Sequence, residues 1–185
     1  VAPGSLPFQS CDEPNSVWCA DFKGWFRTQD KQRCDPLTIS DAYSRMLLCC
    51  KAVTRPDHAH VRPVFEAAFR EYGLPLAIRT DNGPPFASTA AGGLSRLGVW
   101  WVKLGISLER IQPGHPEQNG RHERMHLTLK QECCQPPSTT REAQQLAFDT
   151  FRDTYNTQRP HQALSLTPPA HWYRPSPRTP TPAIS

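Results

Sequence analysis

The chain has 185 residues, of which 37% are hydrophobic and 21% are charged, and its formal net charge is +4. These values predict one packed domain and exclude that the chain as a whole is a disordered acidic or basic segment. We expect neither a membrane span nor a signal peptide, because the sequence has no run of about 18 apolar residues and no secretory pattern at its start. The 7 cysteines form no CxxC pair, so we expect reduced thiols in a cytosolic protein rather than disulfides or a cysteine zinc site.

The predicted elements begin after a proline-bearing leader at residues 1–16. Three β-rich segments follow, at 17–26, 32–40 and 42–53, and the polar turns between them are short. Short turns predict an antiparallel meander. Pro36 lies in the second strand, and because proline cannot donate to a sheet ladder, we expect an edge strand or a bulge there.

The first helix is predicted to run from Asp57, its N-cap, to residue 72. Gly73 follows in the position where glycine commonly ends a helix. Pro63 falls inside this segment. It should kink the helix or delay its start, because proline lacks an N–H and crowds the preceding turn.

Helices and strands alternate over the rest of the chain. The pattern predicts a strand, a helix, a strand, a loop and a helix at 76–80, 93–104, 106–111, 112–119 and 120–134. Thr139 opens the last helix, with Glu142 as the other half of a capping box. The order β-β-β-α-β-α-β-α-α predicts a mixed sheet with helices on both faces.

Three acidic residues stand where a core or a plain surface would not favour them. Asp21 lies inside the most apolar strand, where a charge is costly unless it is paired or belongs to a site. Asp81 ends a strand, the position at which open α/β sheets place functional carboxylates. Glu123 lies one turn into a helix that follows a loop. Each alone is also explained as a cap or a surface acid, but together the three could hold Mg²⁺, which takes a few carboxylates and keeps several waters.

Four motifs occur in order along the chain. They are WCADFKGWF around Asp21, RTDNGPPF around Asp81, PGHPEQNGRHERMHLTLK around Glu123, and YNTQRPHQALSLTPPAHWY at 155–173. Over roughly residues 15–175 the sequence resembles the integrase-core transposases, insertion-sequence enzymes of bacteria that are related to retroviral integrases. The resemblance implies a ribonuclease-H-like fold with a five-stranded mixed sheet, a DDE metal triad and DNA strand transfer.

The third acid of that triad has two candidates. Thirty-five residues separate Asp81 from Glu117, the count often quoted for retroviral integrases, whereas 41 separate it from Glu123. In the family the acid follows a proline-containing loop and a glycine, then begins a helix with a basic residue two turns on. Glu123 fits that pattern and Glu117 falls in the loop itself, so we predict Glu123.

The resemblance also implies the cofactor and the partners. Asp21 would bridge two Mg²⁺ (or Mn²⁺) ions, and Asp81 and Glu123 would each hold one. The partners would be transposon ends and target DNA, bound by a homodimer or a higher oligomer on the bacterial chromosome in the cytoplasm.

DNA contacts are expected from the loop at 112–119 and from the helix that carries Glu123. Lys130 shares a helical face with Glu123 and could therefore reach a phosphate near the metal ions. The full set of predicted contacts is Asn119, Gly120, Arg121, Arg124 and Lys130. We expect a catalytic core at 17–157 and, because the end of the chain is rich in proline and lacks acidic residues, an extended basic tail at 158–185.

Two other functions stay open at this point. Residues 122–126 read H-E-x-x-H, a zinc metalloprotease motif in which both histidines bind the metal and Glu123 is the general base, with Glu142 as the third ligand. The second is a DNA-binding remnant of a transposase, which keeps a basic surface without using the acids. A remnant should bind DNA equally well with and without Mg²⁺.

Overall fold

The computed structural model describes residues 8–87, 95–111, 120–161 and 164–180. Over these ranges the strands, in chain order, are β1 (Val17–Phe22), β2 (Phe26–Arg27), β3 (Arg33–Asp41), β4 (Leu47–Val53), β5 (Ala77–Thr80) and β6 (Ser107–Arg110). The α-helices of the same ranges are α1 (His58–Tyr72), α2 (Arg96–Lys103), α3 (Gly120–Cys133) and α4 (Arg141–Thr157). None of the helices in the described residues is long and apolar enough to cross a membrane.

The sheet is built around β3. Its antiparallel neighbours are β4 and β1, and β1 pairs in parallel with β5, which pairs in parallel with β6. β2 continues the ladder of β1 along β3 after a turn at Gly24, whose φ of 107° is one that residues with a side chain rarely adopt. The sheet of the described residues therefore has 6 strands rather than five, because this turn divides the first predicted strand in two.

β3 is an internal strand, so the expectation of an edge at Pro36 is wrong. Pro36 is the register partner of Ala52 on β4, and its carbonyl accepts a hydrogen bond from the Lys23 N–H at 3.0 Å. This position lies opposite the turn where β1 has already ended, so a missing donor does not interrupt a regular ladder. The irregularity of β3 lies further along, between Ile39 and Ser40.

α1 begins where the sequence predicts. The Asp57 carboxylate accepts a hydrogen bond from the His60 N–H at 2.9 Å, which satisfies one of the free donors of the first turn. Pro63 lies inside the helix and does not delay its start. α1 ends at Tyr72, and Gly73 follows with a φ of 80°.

α4 is capped by Thr140 and not by Thr139, so that prediction is wrong by one residue. The Thr140 hydroxyl accepts a hydrogen bond from the Ala143 N–H at 3.1 Å. The carbonyl of Thr139 accepts instead from the Asp30 N–H at 3.1 Å, in the turn between β2 and β3. This contact keeps Thr139 outside the helix, and no sequence pattern near α4 could have indicated it.

Helices cover both faces of the sheet, as predicted. α1 and α2 pack on one face, where Phe65 and Trp101 are fully buried. α3 and α4 pack on the other, over a smaller cluster that includes Leu129. Asp21 and Thr38 are register partners on β1 and β3, and Thr38 contacts α3. α3 therefore lies over the strand that carries the first predicted acid.

The described part of the predicted tail includes a short 3₁₀ helix at Pro169–Trp172 and is fastened to the fold. The Ser176 N–H donates to the carbonyl of Tyr72, at the end of α1, at 2.8 Å. The Arg178 guanidinium donates to the backbone carbonyls of Pro75 at 2.8 Å and Gly105 at 2.9 Å. The division into leader, core and tail stays a prediction.

Candidate active site

The first two predicted acids lie at the same end of adjacent parallel strands. Cys19 on β1 and Arg79 on β5 are register partners, and Asp21 and Asp81 each lie two residues further along. Neighbouring strands are about 4.8 Å apart, so the fold brings these two positions side by side at the carboxyl edge of the sheet. That edge is where open α/β sheets carry their sites.

Local hydrogen bonds orient both aspartates. Asp21 Oδ1 accepts from the Phe22 N–H at 2.8 Å, and Asp81 Oδ1 accepts from the Gly83 N–H at 2.8 Å. Asp21 is half-buried and Asp81 is exposed. Burial lowers the pKa of Arg110, at the end of β6, and the negative charge of Asp81 opposes that shift. A cation therefore lies beside the second acid.

Glu123 lies in the first turn of α3, on the exposed side of the helix. Met125 and Leu129 form the buried side, which packs toward α4. Among the described side chains, Glu123 does not join Asp21 and Asp81 in a group of ligand atoms within 4.8 Å of one another. The structure thus brings two of the predicted positions together and leaves the third on a neighbouring helix. The triad stays a prediction.

Two histidines of α3 and a threonine of β3 form a buried contact beside Asp21. Thr38 Oγ1 lies 2.7 Å from His122 Nε2 and 2.6 Å from His126 Nε2. Ser40 Oγ lies 3.2 Å from His122 Nδ1. The Asp21 carboxylate and one nitrogen from each ring lie within 4.8 Å of one another, the one such group found in the described part of the chain. The sequence pattern indicated the histidine pair but not its contact with β1 and β3.

Burial favours the neutral form of both rings. Burial lowers the pKa of His122 well below its usual range, and the charge of His126 acts in the same direction. Burial also lowers the pKa of His126 to about 4, and the positive charge of Lys23 adds to that shift. A neutral imidazole has one nitrogen with a free lone pair, so each ring can accept a hydrogen bond or bind a metal ion.

The predicted DNA contacts lie at the start of α3 and along it. Arg124 and Lys130 are exposed, as contact with a phosphate requires. Gly120 is the first residue of α3. Asn119 and the side chain of Arg121 lie outside the described residues. All five contacts stay predictions.

An aromatic and basic surface that the sequence analysis did not single out as a site lies just beyond β1. It consists of Lys23, Trp25, Arg27 and Arg33, and we name it the Trp25 surface. Trp25 is 55% exposed, and the guanidinium carbons of Arg33 and Arg27 lie 4.8 and 5.6 Å from the centre of its ring. The sequence could have indicated this surface, because Trp25 follows a glycine and lies between Lys23 and Arg27.

The fourth motif, at 155–173, holds the elements of the site together. Asn156 is buried, and its side chain accepts from the Leu47 N–H at 2.8 Å and donates to the Leu47 carbonyl at 2.9 Å. Arg159 forms an ion pair with Glu132 of α3. Asn156 thus fastens α4 to β4, and Arg159 fastens the segment after α4 to α3, so this part of the motif serves packing.

The structure does not support the metalloprotease hypothesis. The two histidines do share one face of α3, but that face is turned toward the sheet, and the third group beside them is Asp21 rather than Glu142. Glu142 is exposed in the first turn of α4. Glu123, the required general base, is exposed, whereas His122 is buried.

Comparison with known proteins decides the family. Two sequence profiles, each described as an integrase core domain, match residues 12–116 and residues 104–169. The first match alone spans more than half of the chain. The chain belongs to the integrase core domain family. The resemblance stated from the four motifs is therefore confirmed.

Relatives of this integrase core occur in bacterial insertion elements. The chain is 31% identical over 160 residues to a 31.7 kDa protein of insertion element IS407 from Burkholderia multivorans, covering 86% of this chain and 55% of that protein. It is 32% identical over 162 residues to a 39.2 kDa protein of insertion element IS476 from Xanthomonas euvesicatoria, covering 86% and 44%. The chain thus spans about half the length of these relatives.

A solved retroviral structure confirms the expected ribonuclease-H-like α/β fold of the integrase core. The catalytic core domain of HTLV-2 integrase, in complex with magnesium and in a trimeric form, matches with a TM-score of 0.61 at 18% identity. The match covers 88% of this chain and 99% of that one.

Proposed function

We propose that this integrase core carries out metal-dependent DNA end processing and strand transfer in the transposition of an insertion element. The observation that carries the proposal is the pair of aspartates at matched positions on adjacent parallel strands, in a chain of this family. The relatives in IS407 and IS476 support transposition as the process. The reaction is phosphoryl transfer, in which a hydroxyl oxygen forms a new P–O bond as a P–O bond of the DNA breaks.

The residues at this edge of the sheet fit a hard divalent cation. Asp21 and Asp81 offer carboxylate oxygens, which Mg²⁺ and Mn²⁺ prefer as ligands. The exposure of Asp81 leaves room for the waters and phosphate oxygens that complete such sites. Two Mg²⁺ or Mn²⁺ ions are proposed, with Asp21 bridging them and Asp81 and Glu123 each holding one. The solved HTLV-2 core in complex with magnesium supports this choice of ion.

Bound ions at such a site activate a hydroxyl nucleophile and neutralise charge on the phosphate. The side chains of the protein position the DNA. Arg124 and Lys130, together with Asn119, Gly120 and Arg121, contact phosphates and set the DNA end against the acids. The Trp25 surface stacks on an exposed base of that end, and its cations pair with adjoining phosphates.

The proposed partners are DNA and further copies of this chain. A transposon end and a target duplex must meet at one site, and the exposed cations of α3 and of the Trp25 surface supply positive charge for both. The trimeric form of the HTLV-2 core supports assembly as a general property of the fold. A homodimer or a higher oligomer on DNA is proposed for this chain.

A strand-transfer assay in Mg²⁺, on duplexes bearing the ends of the element that encodes the chain, tests the function. The wild type is compared with Asp21→Asn, Asp81→Asn and Glu123→Gln. Each change keeps the size of the side chain and removes a charged ligand, so the rate should fall by about 10³-fold while DNA binding is retained. Glu117→Gln is the matched control and should be nearly silent.

The outcomes separate the alternatives. Wild-type activity in any one of the three variants removes that residue from the triad. Loss of activity in Glu117→Gln with normal activity in Glu123→Gln would make Glu117 the third acid. A wild-type chain that binds DNA equally with and without Mg²⁺ and never transfers a strand would be the DNA-binding remnant instead.

A further inference from the structure

The histidines of α3 converge on one point of the sheet. His122 and His126 are one helical turn apart, and the Nε2 atoms of both rings lie within 2.7 Å of the same oxygen, Thr38 Oγ1. With the Asp21 carboxylate they form a group whose ligand atoms lie within 4.8 Å of one another. Because metal–ligand distances are about 2.0–2.2 Å, modest side-chain rotations bring all three ligands onto one ion.

We propose that Asp21, His122 and His126 bind a divalent transition-metal ion of the Zn²⁺, Co²⁺ and Ni²⁺ class. Two imidazole nitrogens and one carboxylate oxygen favour these ions over Mg²⁺, which prefers oxygen ligands. Three protein ligands leave a coordination position for water or for a phosphate oxygen. The HExxH sequence thus supplies two metal ligands, but Asp21 on β1 completes the set in place of a third ligand from α4.

The hydroxyl groups of β3 control the protons of the two rings. A hydroxyl has one proton, so Thr38 Oγ1 donates to one Nε2 and accepts from the Nε2–H of the other ring. Ser40 Oγ lies 3.2 Å from His122 Nδ1, so it can accept the Nδ1–H, and the lone pair of His122 Nε2 then accepts from the Thr38 hydroxyl. Metal-binding histidines are commonly oriented in this way. Binding of the ion through both Nε2 atoms requires that the His126 proton move to Nδ1 and that both rings give up their hydrogen bonds to Thr38.

The nearby cysteines are poor competitors for the ion. Burial raises the pKa of the Cys34 and Cys133 thiols to about 12. A thiol with so high a pKa stays protonated at neutral pH, and the thiolate is the form that binds metal. The histidine and aspartate ligands need no such deprotonation.

The proposed site and the carboxylate site compete for Asp21. An ion held by the histidines of α3 occupies the Asp21 carboxylate, which the proposed function needs for Mg²⁺. Under that function, on which this consequence rests, Zn²⁺ inhibits strand transfer in the presence of Mg²⁺. Inhibition, expressed as a fraction of each variant's own activity, should be weaker in His126→Gln than in the wild type.

Cobalt binding tests the site without an assay of activity. Titration of the metal-free full chain with Co²⁺ should give visible d–d absorption, and His126→Gln should weaken binding by about 100-fold. Asp81→Asn and Glu123→Gln are the matched controls, because both remove acids of the proposed Mg²⁺ site, and Glu123 is the neighbour of His122. Their cobalt affinity should stay within about threefold of the wild type.

Thr38→Val gives a second test that does not remove a ligand. The change keeps the shape of the side chain and removes the hydroxyl that both rings share. The metal-free variant has an unsatisfied ring N–H in a buried place, so its melting temperature should fall. Co²⁺ should raise that temperature by more than it raises the wild-type value, because no hydrogen bond is lost on binding.

Four results would overturn the proposal. Unchanged cobalt binding in a folded His126→Gln chain rejects the histidines, and an intense near-ultraviolet thiolate band moves the ion to the cysteines. Loss of binding in Asp81→Asn and Glu123→Gln, with retention in His126→Gln, assigns cobalt to the carboxylate site. If His126→Gln does not fold, equal cobalt stabilisation of Thr38→Val and the wild type rejects the proposal. Cobalt binding as proposed, in a chain that never transfers a strand, contradicts only the proposed function.

Discussion

Trp25 places an exposed ring and two guanidinium groups just past the strand that carries Asp21. A tryptophan that is 55% exposed contributes little to the core. Arg33 and Arg27 lie over its ring, at 4.8 and 5.6 Å from the centre, which orders the ring at the surface. Aromatic rings flanked by cations are how proteins hold single-stranded nucleic acid, by base stacking and by phosphate contacts.

Trp25→Ala should weaken binding to a DNA end with unpaired bases by about tenfold, because stacking contributes about 1–3 kcal/mol per base. Fluorescence anisotropy at several salt concentrations measures the effect. The salt slope should stay constant for Trp25→Ala, whereas Arg33→Gln should reduce it by about 0.9. Leu146→Ala is the control, because it removes another exposed apolar side chain, 68% exposed, on α4. Equal affinities of the Trp25 and Leu146 variants would refute a stacking role.

The residues of the site differ in how far the sequence could place them. Asp21 and Asp81 follow β-rich segments, and the register of parallel strands then puts their positions side by side. The contact of Thr38 with His122 and His126 depends on how α3 crosses the sheet. No local pattern encodes that crossing. The sequence therefore indicates the histidines only as protease ligands and does not predict the burial of His122.

α3 is the element that serves both proposed metal sites. Its buried side turns His122 and His126 toward the sheet, and its exposed side carries Glu123 and Lys130. Successive residues of an α-helix are rotated by about 100° around its axis. His122 and Glu123 therefore point to different sides although they are neighbours in sequence. A change at His122 or His126 therefore acts on the sheet side, and a change at Glu123 acts on the solvent side, which is why these variants can be used to separate the two sites.

Element boundaries were predicted well where a local cap decides them and poorly where a distant contact does. The Asp57 carboxylate caps α1 by accepting a hydrogen bond from the His60 N–H. Both residues lie within four positions of sequence. The start of α4 depends on the turn between β2 and β3, whose N–H groups bind the carbonyls of Ser138 and Thr139. The sequence predicts an edge strand or a bulge at Pro36 because it does not show that β1 ends opposite this residue.

The position of the α4 cap gives a test at this scale. Thr140→Ala removes the hydroxyl that accepts from the Ala143 N–H, so the free energy of unfolding should fall by about 1 kcal/mol. Thr139→Ala changes an exposed side chain of the same type, next in sequence, and should stay within about 0.5 kcal/mol of the wild type. Urea denaturation measures both. A larger loss for Thr139→Ala would mean that the helix starts one residue earlier, as the sequence pattern predicted.

The C-terminal segment joins parts of the molecule that are far apart in sequence. Asn15 Oδ1 accepts from the Tyr173 hydroxyl at 2.8 Å, and Asn15 Nδ2 donates to the Arg174 carbonyl at 2.9 Å. A Cβ at Gly73 would lie 2.6 Å from the Ser176 carbonyl, so the segment passes too close for any other residue there. The end of the chain is predicted to be an extended basic tail, but the described part of it is bound to the domain.

Arg178 and Arg174 give a matched pair that tests whether this segment stabilises the whole fold. Arg178 donates to the carbonyls of Pro75 and Gly105, and so joins the segment before β5 to the turn between α2 and β6. Arg174 is 71% exposed and pairs with Glu13 at 3.6 Å, a surface ion pair of small effect. Arg178→Ala should therefore lower the free energy of unfolding by about 1–3 kcal/mol, whereas Arg174→Ala should change it by less than about 0.5 kcal/mol.

Both changes remove one positive charge, so the long-range electrostatic effect on stability is common to the pair and cancels in the comparison. What differs is the loss of hydrogen bonds between a charged donor and two backbone carbonyls, of which Pro75 is buried and Gly105 is exposed. Urea denaturation of the two variants at one pH and one salt concentration measures that difference directly. If the two variants unfold at the same urea concentration, the segment is detached in solution, and its arginines are then free to contact DNA.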